Sequence, residues 1–99
     1  MAAVRLDLNS PEFQDDLFSL QAPEILAVIS MLRRLSQLEW NQVYRDRGLR
    51  WEAITSRTGP KGHRLYSLRV TVKMRAVGYR EGDYLRLLSL HPDHDSAYE

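Results

Sequence analysis

Two histidines, two aspartates and a tyrosine crowd the C-terminal end of this 99-residue chain, in the run His91-Pro92-Asp93-His94-Asp95-Ser96-Ala97-Tyr98. Imidazole titrates closest to neutrality, so His91 and His94 can act as acid or base near pH 7. Asp93 or Asp95 can orient such a ring. Two His and two Asp could also hold a metal. However, they crowd into one short stretch around a proline, without helical spacing, so neither a metal nor any other cofactor is expected. Ser96 beside His94 and Asp95 makes no triad, because such close neighbours do not reach triad geometry and no nucleophile-elbow glycine pattern is present.

A second set of residues is basic. Arg64, Arg69, Lys73 and Arg75 lie within twelve positions, with Lys61 and Arg80 nearby. From Tyr66 to Ala76 every even position is apolar, while Arg69, Thr71, Lys73 and Arg75 take odd ones. Period-2 alternation puts the two sets on opposite faces of extended backbone. Arginine bonds phosphate oxygens in pairs, and several such groups on a rigid sheet can hold a backbone and stabilise charge at phosphorus. Tyr79, expected on the same side, could stack on a base. The bland alternative is a solvated basic face with no partner.

Net charge is +1, but residues 45–80 carry ten Lys/Arg against Asp46 and Glu52, for +8. The flanking segments are acidic. Such a footprint fits a nucleic acid or an acidic protein.

The elements that must position these groups read as follows. Val4 to Leu8 alternates like a short strand. Asn9-Ser10-Pro11-Glu12 starts a short helix to about Leu20, with capping-box spacing between Asn9 and Glu12. Ala22-Pro23-Glu24 starts a second helix, with Ile25, Val28, Ile29, Leu32 and Leu35 on one face. Trp40, Val43 and Tyr44 predict another helical turn or two, stopped by Gly48. Leu49 to Ile54 reads as a strand, and Thr55 to Gly62 as a loop too short and irregular for a P-loop. The stretch 63–80 is long for one strand, so a bend is expected near Thr71–Lys73. Glu81-Gly82-Asp83 turns a hairpin. Trp40, Tyr44 and Trp51 read as packing residues.

Helices early and strands late predict an α+β fold: an N-terminal strand and two or three helices packed on a twisted antiparallel sheet. The length gives one compact domain over 1–99, with about 92–99 as a polar tail able to be flexible. With no cysteine, disulfides and thiolate metal sites are excluded. With no apolar run long enough to span a bilayer, no membrane partner is expected and the expected compartment is cytoplasmic.

The residues from Leu65 to Tyr98 resemble the RelE/ParE superfamily of bacterial type II toxin–antitoxin toxins, some of them described as plasmid-stabilisation proteins. The likeness rests on Leu68-Arg69-Val70, on Lys73 to Val77, on the Tyr84–Leu90 strand, on the His94 to Tyr98 tail and on the order of elements. RelE-type members cleave mRNA on the ribosome without a metal, by attack of a ribose 2′-OH on the adjacent phosphate. The resemblance makes Arg75 the phosphate-stabilising arginine, and Arg69 and Lys73 contacts to the RNA backbone. It gives Tyr98 a stacking or activating role, and His91 or His94 the acid or base role. Where several members place an arginine just after the final strand, this chain has His91-Pro92-Asp93. The implied partners are a cognate antitoxin, the ribosome and mRNA. The alternative is a non-enzymatic ParE-like toxin acting on a topoisomerase, or a basic protein- or nucleic-acid-binding module on the same fold.

Overall fold

The computed structural model describes residues 2–93 and Ala97. The chain runs β1 (Arg5–Asp7), α1 (Pro11–Phe18), α2 (Ala22–Ser36), α3 (Trp40–Arg45), β2 (Glu52–Thr58), a 3-10 turn (Pro60–Gly62), β3 (Arg64–Arg69), β4 (Arg75–Glu81) and β5 (Tyr84–His91). The five strands form one sheet in the order β1-β5-β4-β3-β2. β2 to β5 pair antiparallel as a meander, and β1 joins β5 in parallel. No helix among the described residues is long and apolar enough to cross a membrane.

Helix α1 is capped by Ser10, whose Oγ accepts from the Phe13 N–H, with Pro11 in the first turn. Asn9 instead donates its N–H to Asp7, so the capping-box spacing with Glu12 is not used. In α2 the Glu24 carboxylate accepts the Gln21 N–H. Its buried stripe is Val28, Met31, Leu32 and Leu35, while Ile29 is 48% exposed. The stripe is thus turned from the expected one, with Met31 inside in place of Ile29.

The expected bend falls between β3 and β4, at residues 70–74. The buried alternation breaks there, with Val72 exposed at the turn, and resumes at Met74. Leu68, Met74 and Ala76 face the helices and join Phe13, Val28, Leu35, Val43, Leu85 and Leu87 in the main core. The opposite face is also partly covered, by a smaller cluster of Ile54, Leu65, Val77, Tyr79 and Ala97. Burial of these apolar side chains is the main stabilising force on both faces.

Two constraints hold neighbouring strands together. At the β4–β5 bulge, a Cβ on Gly78 would stand 2.6 Å from the Arg86 carbonyl oxygen, so only glycine fits there. At the β1 edge, Arg86 bridges the carboxylates of Asp7 and Glu81. The Asn9 N–H first, and then Arg86, hold the Asp7 carboxyl below its ordinary range. Arg86 likewise lowers Glu81, and the two acids raise Arg86.

Gly78→Ala is expected to destabilise the domain by about 1–3 kcal/mol through the forced shift of β5, read as a lower urea midpoint. Because the Asp7 pKa is depressed, its contribution is full above its ordinary value of 3.8 and is lost as pH falls through the folded value. Unfolding free energy should therefore fall more steeply below about pH 4 in the native chain than in Asp7→Asn. Equal slopes in urea titrations at several pH values would refute that role.

Candidate functional site

The strand register assembles a row that the sequence spreads over 23 positions. Arg69 on β3 faces Arg75 on β4, and Arg75 faces His91 on β5. Cross-strand partners share a face. Leu68 pairs with Ala76 on the helix side, so by register the Arg69–Arg75–His91 row takes the other face, although Arg69, at the strand end, also lines a depression beside Met31 and Arg34 of α2. Next to it, Ser67 pairs with Val77 and Val77 with Ser89.

His91 is half-buried, and its Nε2 lies 2.8 Å from the Ser89 Oγ, two residues earlier on the same face. Ser89 is itself buried. The strand that carries them outruns its neighbour, because β1 pairs only with Tyr84 to Arg86. Side chains from the α1 region close the uncovered edge. The Asp16 carboxylate accepts the Leu90 N–H at 2.9 Å, and the Ser10 hydroxyl donates to the Leu88 carbonyl at 3.4 Å. Helix α1 thus holds the end of β5 on which His91 sits.

Arg75 is 6% exposed. Its Nη1 donates to the carbonyls of Thr71 at 2.8 Å, Met74 at 3.1 Å and Val72 at 3.3 Å. The guanidinium therefore closes the β3–β4 turn, which the Thr71 hydroxyl also tightens by accepting the Lys73 and Met74 N–H groups. Its backbone pairs with that of His91, while its guanidinium is held at the turn. Arg69 is half-buried at the other end of the row, and Lys73 is exposed at the turn. Ser67 and Ser89 are the buried polar neighbours that sequence reasoning missed. Their period-2 spacing from Arg69 and His91 was the available signal, but a serine in a strand carries no chemistry until the register is known.

The remaining expected groups fall elsewhere. Tyr79 is 7% exposed and stacks on His63 at 4.7 Å, so it packs the smaller core and offers no ring to a base. Arg80 lies on the helix side, 4.5 Å over the Trp40 ring, bonded to the Tyr44 hydroxyl and the Gly82 carbonyl. It does not belong to the row because each strand residue reverses face. Lys61 sits in the 3-10 turn with a left-handed φ of 57°, and its charge is among those lowering Glu81. Arg64 is exposed at the start of β3. His94 and Tyr98 lie outside the described residues. Ala97, between them, is fully buried against the second-face cluster. Among the described residues no three His, Asp or Glu groups converge as metal ligands.

No protein-family model matches the chain, and no curated protein is similar to it. Solved structures do match. The chain is similar to an archaeal RelE–RelB complex from Pyrococcus horikoshii OT3, at 16% identity and TM-score 0.59, over 92% of this chain and 93% of that one. It is also similar to a copper-bound mutant toxin from Helicobacter pylori, at 21% identity and TM-score 0.49, over 97% and 98% of the two chains. The class that the fold defines is α+β with a mixed five-stranded sheet. Within that class, the chain has a RelE-like fold.

Arg75→Ala should cost about 2–3 kcal/mol, since it strips a charged donor from the turn carbonyls. Arg75→Lys should recover only part, because an ammonium lacks the planar fork. Arg69→Ala should stay within about 0.5 kcal/mol of the parent. Urea denaturation measures all three, and equal stability of the Arg75 and Arg69 variants would show that the turn does not depend on Arg75.

Proposed function

We propose that this chain is the toxin of a toxin–antitoxin pair and acts as a metal-independent, ribosome-dependent mRNA endoribonuclease. The observation that carries this reading is the Arg69–Arg75–His91 row: two cations and an imidazole aligned across three strands of a RelE-like sheet. Cleavage of RNA through its own 2′-OH, an internal transesterification, needs those chemical types together. A base takes the 2′-OH proton, and the oxygen attacks the adjacent phosphorus. Cations stabilise the pentavalent phosphorane, and an acid protonates the departing 5′ oxygen. The products are a 2′,3′-cyclic phosphate and a 5′-hydroxyl.

In this assignment Arg69 holds the scissile phosphate. Arg75 supplies a fixed positive charge behind it, and Lys73 contacts the flanking backbone. His91 handles one proton. His94 and Tyr98, brought in by the resemblance of the tail, handle the other proton and stack on the substrate. Lys61 and Arg64 extend the basic surface toward the ribosome. The structural neighbour is a RelE in complex with RelB, which supports a cognate antitoxin as the physiological partner here. An acidic segment of that antitoxin would cover the cationic surface around Arg64, Arg69 and Lys73.

Primer extension on mRNA after a short induced pulse in a bacterial host tests the reading. New 5′ ends within translated regions are expected. They should fall by about 100-fold or more in Arg69→Ala/His91→Ala, the scale of losing a general acid or base. Growth arrest with intact mRNA would replace this reading with a ParE-like toxin acting on a topoisomerase. Undiminished cleavage by the soluble double variant would overturn the site.

A further inference from the structure

At the edge of the sheet, the corner between α3 and β2 holds an arginine-rich depression of about 380 Å³, lined by Tyr44, Arg45, Asp46, Arg47, Arg50, Trp51 and Glu52. The sequence there mixes signs, but the fold sorts them. Asp46 turns inward: its carboxylate pairs with Arg34 and accepts the Gly48 and Leu49 N–H groups at 2.8 and 3.0 Å. Its negative charge is spent on closing the turn. Arg45 and Arg47 on either side are exposed. Arg45 bonds its own helix at the Asn41 carbonyl, and Arg47 makes no side-chain bond among the described residues. Arg50 sits in the left-handed region at φ 49°, held by its N–H on the Asp46 carbonyl, with its guanidinium 3.3 Å from Glu52. Glu52, at the rim, pairs with Arg50.

Between them stand aromatic rings. Tyr44 is 49% exposed. It is braced by Trp40 and Trp51 at 5.8 Å each and by the Arg80 guanidinium on its hydroxyl. Trp51 is half-buried and stacked on Tyr66 at 4.4 Å and 17°. The expectation that these rings only pack therefore holds for buried Trp40 but leaves Tyr44 presented to solvent on a rigid support. An exposed ring among exposed arginines is the combination that single-stranded nucleic acid uses: bases stack and phosphates find cations.

We propose that this corner is a second RNA-binding site, taking one or two unpaired bases on Tyr44 and their phosphates on Arg45, Arg47 and Arg50. It lies at the α3–β2 edge, away from the Arg69–Arg75–His91 row, and does not depend on cleavage there. Its role is to dock an unpaired RNA segment, and binding without cleavage satisfies it.

Fluorescence anisotropy with a labelled single-stranded oligoribonucleotide of about 12 nucleotides tests this at low and raised salt. Tyr44→Ala and Arg47→Glu should each weaken binding by about fivefold or more, and Tyr44→Phe by less than about twofold, since stacking needs the ring and not the hydroxyl. Arg69→Ala/His91→Ala should retain this corner's contribution, so loss of cleavage and loss of docking are separable. On the unaltered protein, added RNA should shift the Trp51 indole N–H resonance more than that of buried Trp40. Undiminished affinity in Tyr44→Ala and Arg47→Glu, or an unmoved Trp51 resonance, would overturn the proposal. So would tighter binding of an oligoglutamate peptide with the same dependence on these variants, which would make the corner a protein-docking surface.

Discussion

The Arg75 guanidinium bonds three carbonyls of the turn that joins β3 to β4, and the candidate site depends on that grip. Residues 70–74 must reverse the chain while Arg69 and Arg75 stay on one face. A buried cation inside such a turn is costly unless it is bonded, and its carbonyl partners would otherwise be underused. Each half therefore stabilises the other. With the turn closed, Arg69 meets Arg75, and the β4–β5 register then sets Arg75 against His91. One residue of slip would send the whole row to the helix side.

The sheet carries packing on both faces, and this shapes the charge distribution. The larger core lies under the helices, and the smaller one leaves part of its face to polar groups. At one end of that face is the cationic row. Toward β1 lies the network of Asp7, Arg86, Glu81 and His63, in which the carboxylates hold the Arg86 charge. Arg86 has the same formal charge as Arg69, yet two carboxylates claim it. The chemical potential of the face is therefore concentrated where acids are missing, since no Asp or Glu occurs between Glu52 and Glu81. The same logic applies at the α3–β2 corner, where Asp46 is drawn inward and the arginines remain outside.

Much of the architecture was legible because local rules and burial agreed. Pro11 and Pro23 marked helix starts, Glu81-Gly82-Asp83 marked the last hairpin, and the length of 63–80 required a bend. What misread was decided by packing. Ile29 and Met31 are equally apolar, and only the docking angle of α2 chose Met31 for the core. Thr55 to Thr58 reads as loop, but β2 continues through it because β3 supplies a partner across a bulge. Tyr79 and Arg80 are adjacent in sequence and were expected together, whereas pleating sends one into the smaller core and the other over Trp40.

The sequence by itself determined the inventory: a cationic middle, histidines at the end of the last strand, helices before strands, and the alternation that puts Arg69 and Arg75 opposite the apolar set. These are properties of composition and of backbone period, which act over a few residues. Tertiary structure decided which charges remain available. It gave Arg75 to a turn, Arg80 to an aromatic ring, Arg86 to two carboxylates and Asp46 to backbone amides, and it brought His91 beside Arg75. The bonds of Arg75 and Asp46 are local, but the partners of Arg75 across the sheet, of Arg80 and of Arg86 at Asp7 lie 16 to 79 positions away. They follow from register and close packing, which only the complete sheet and its helices specify.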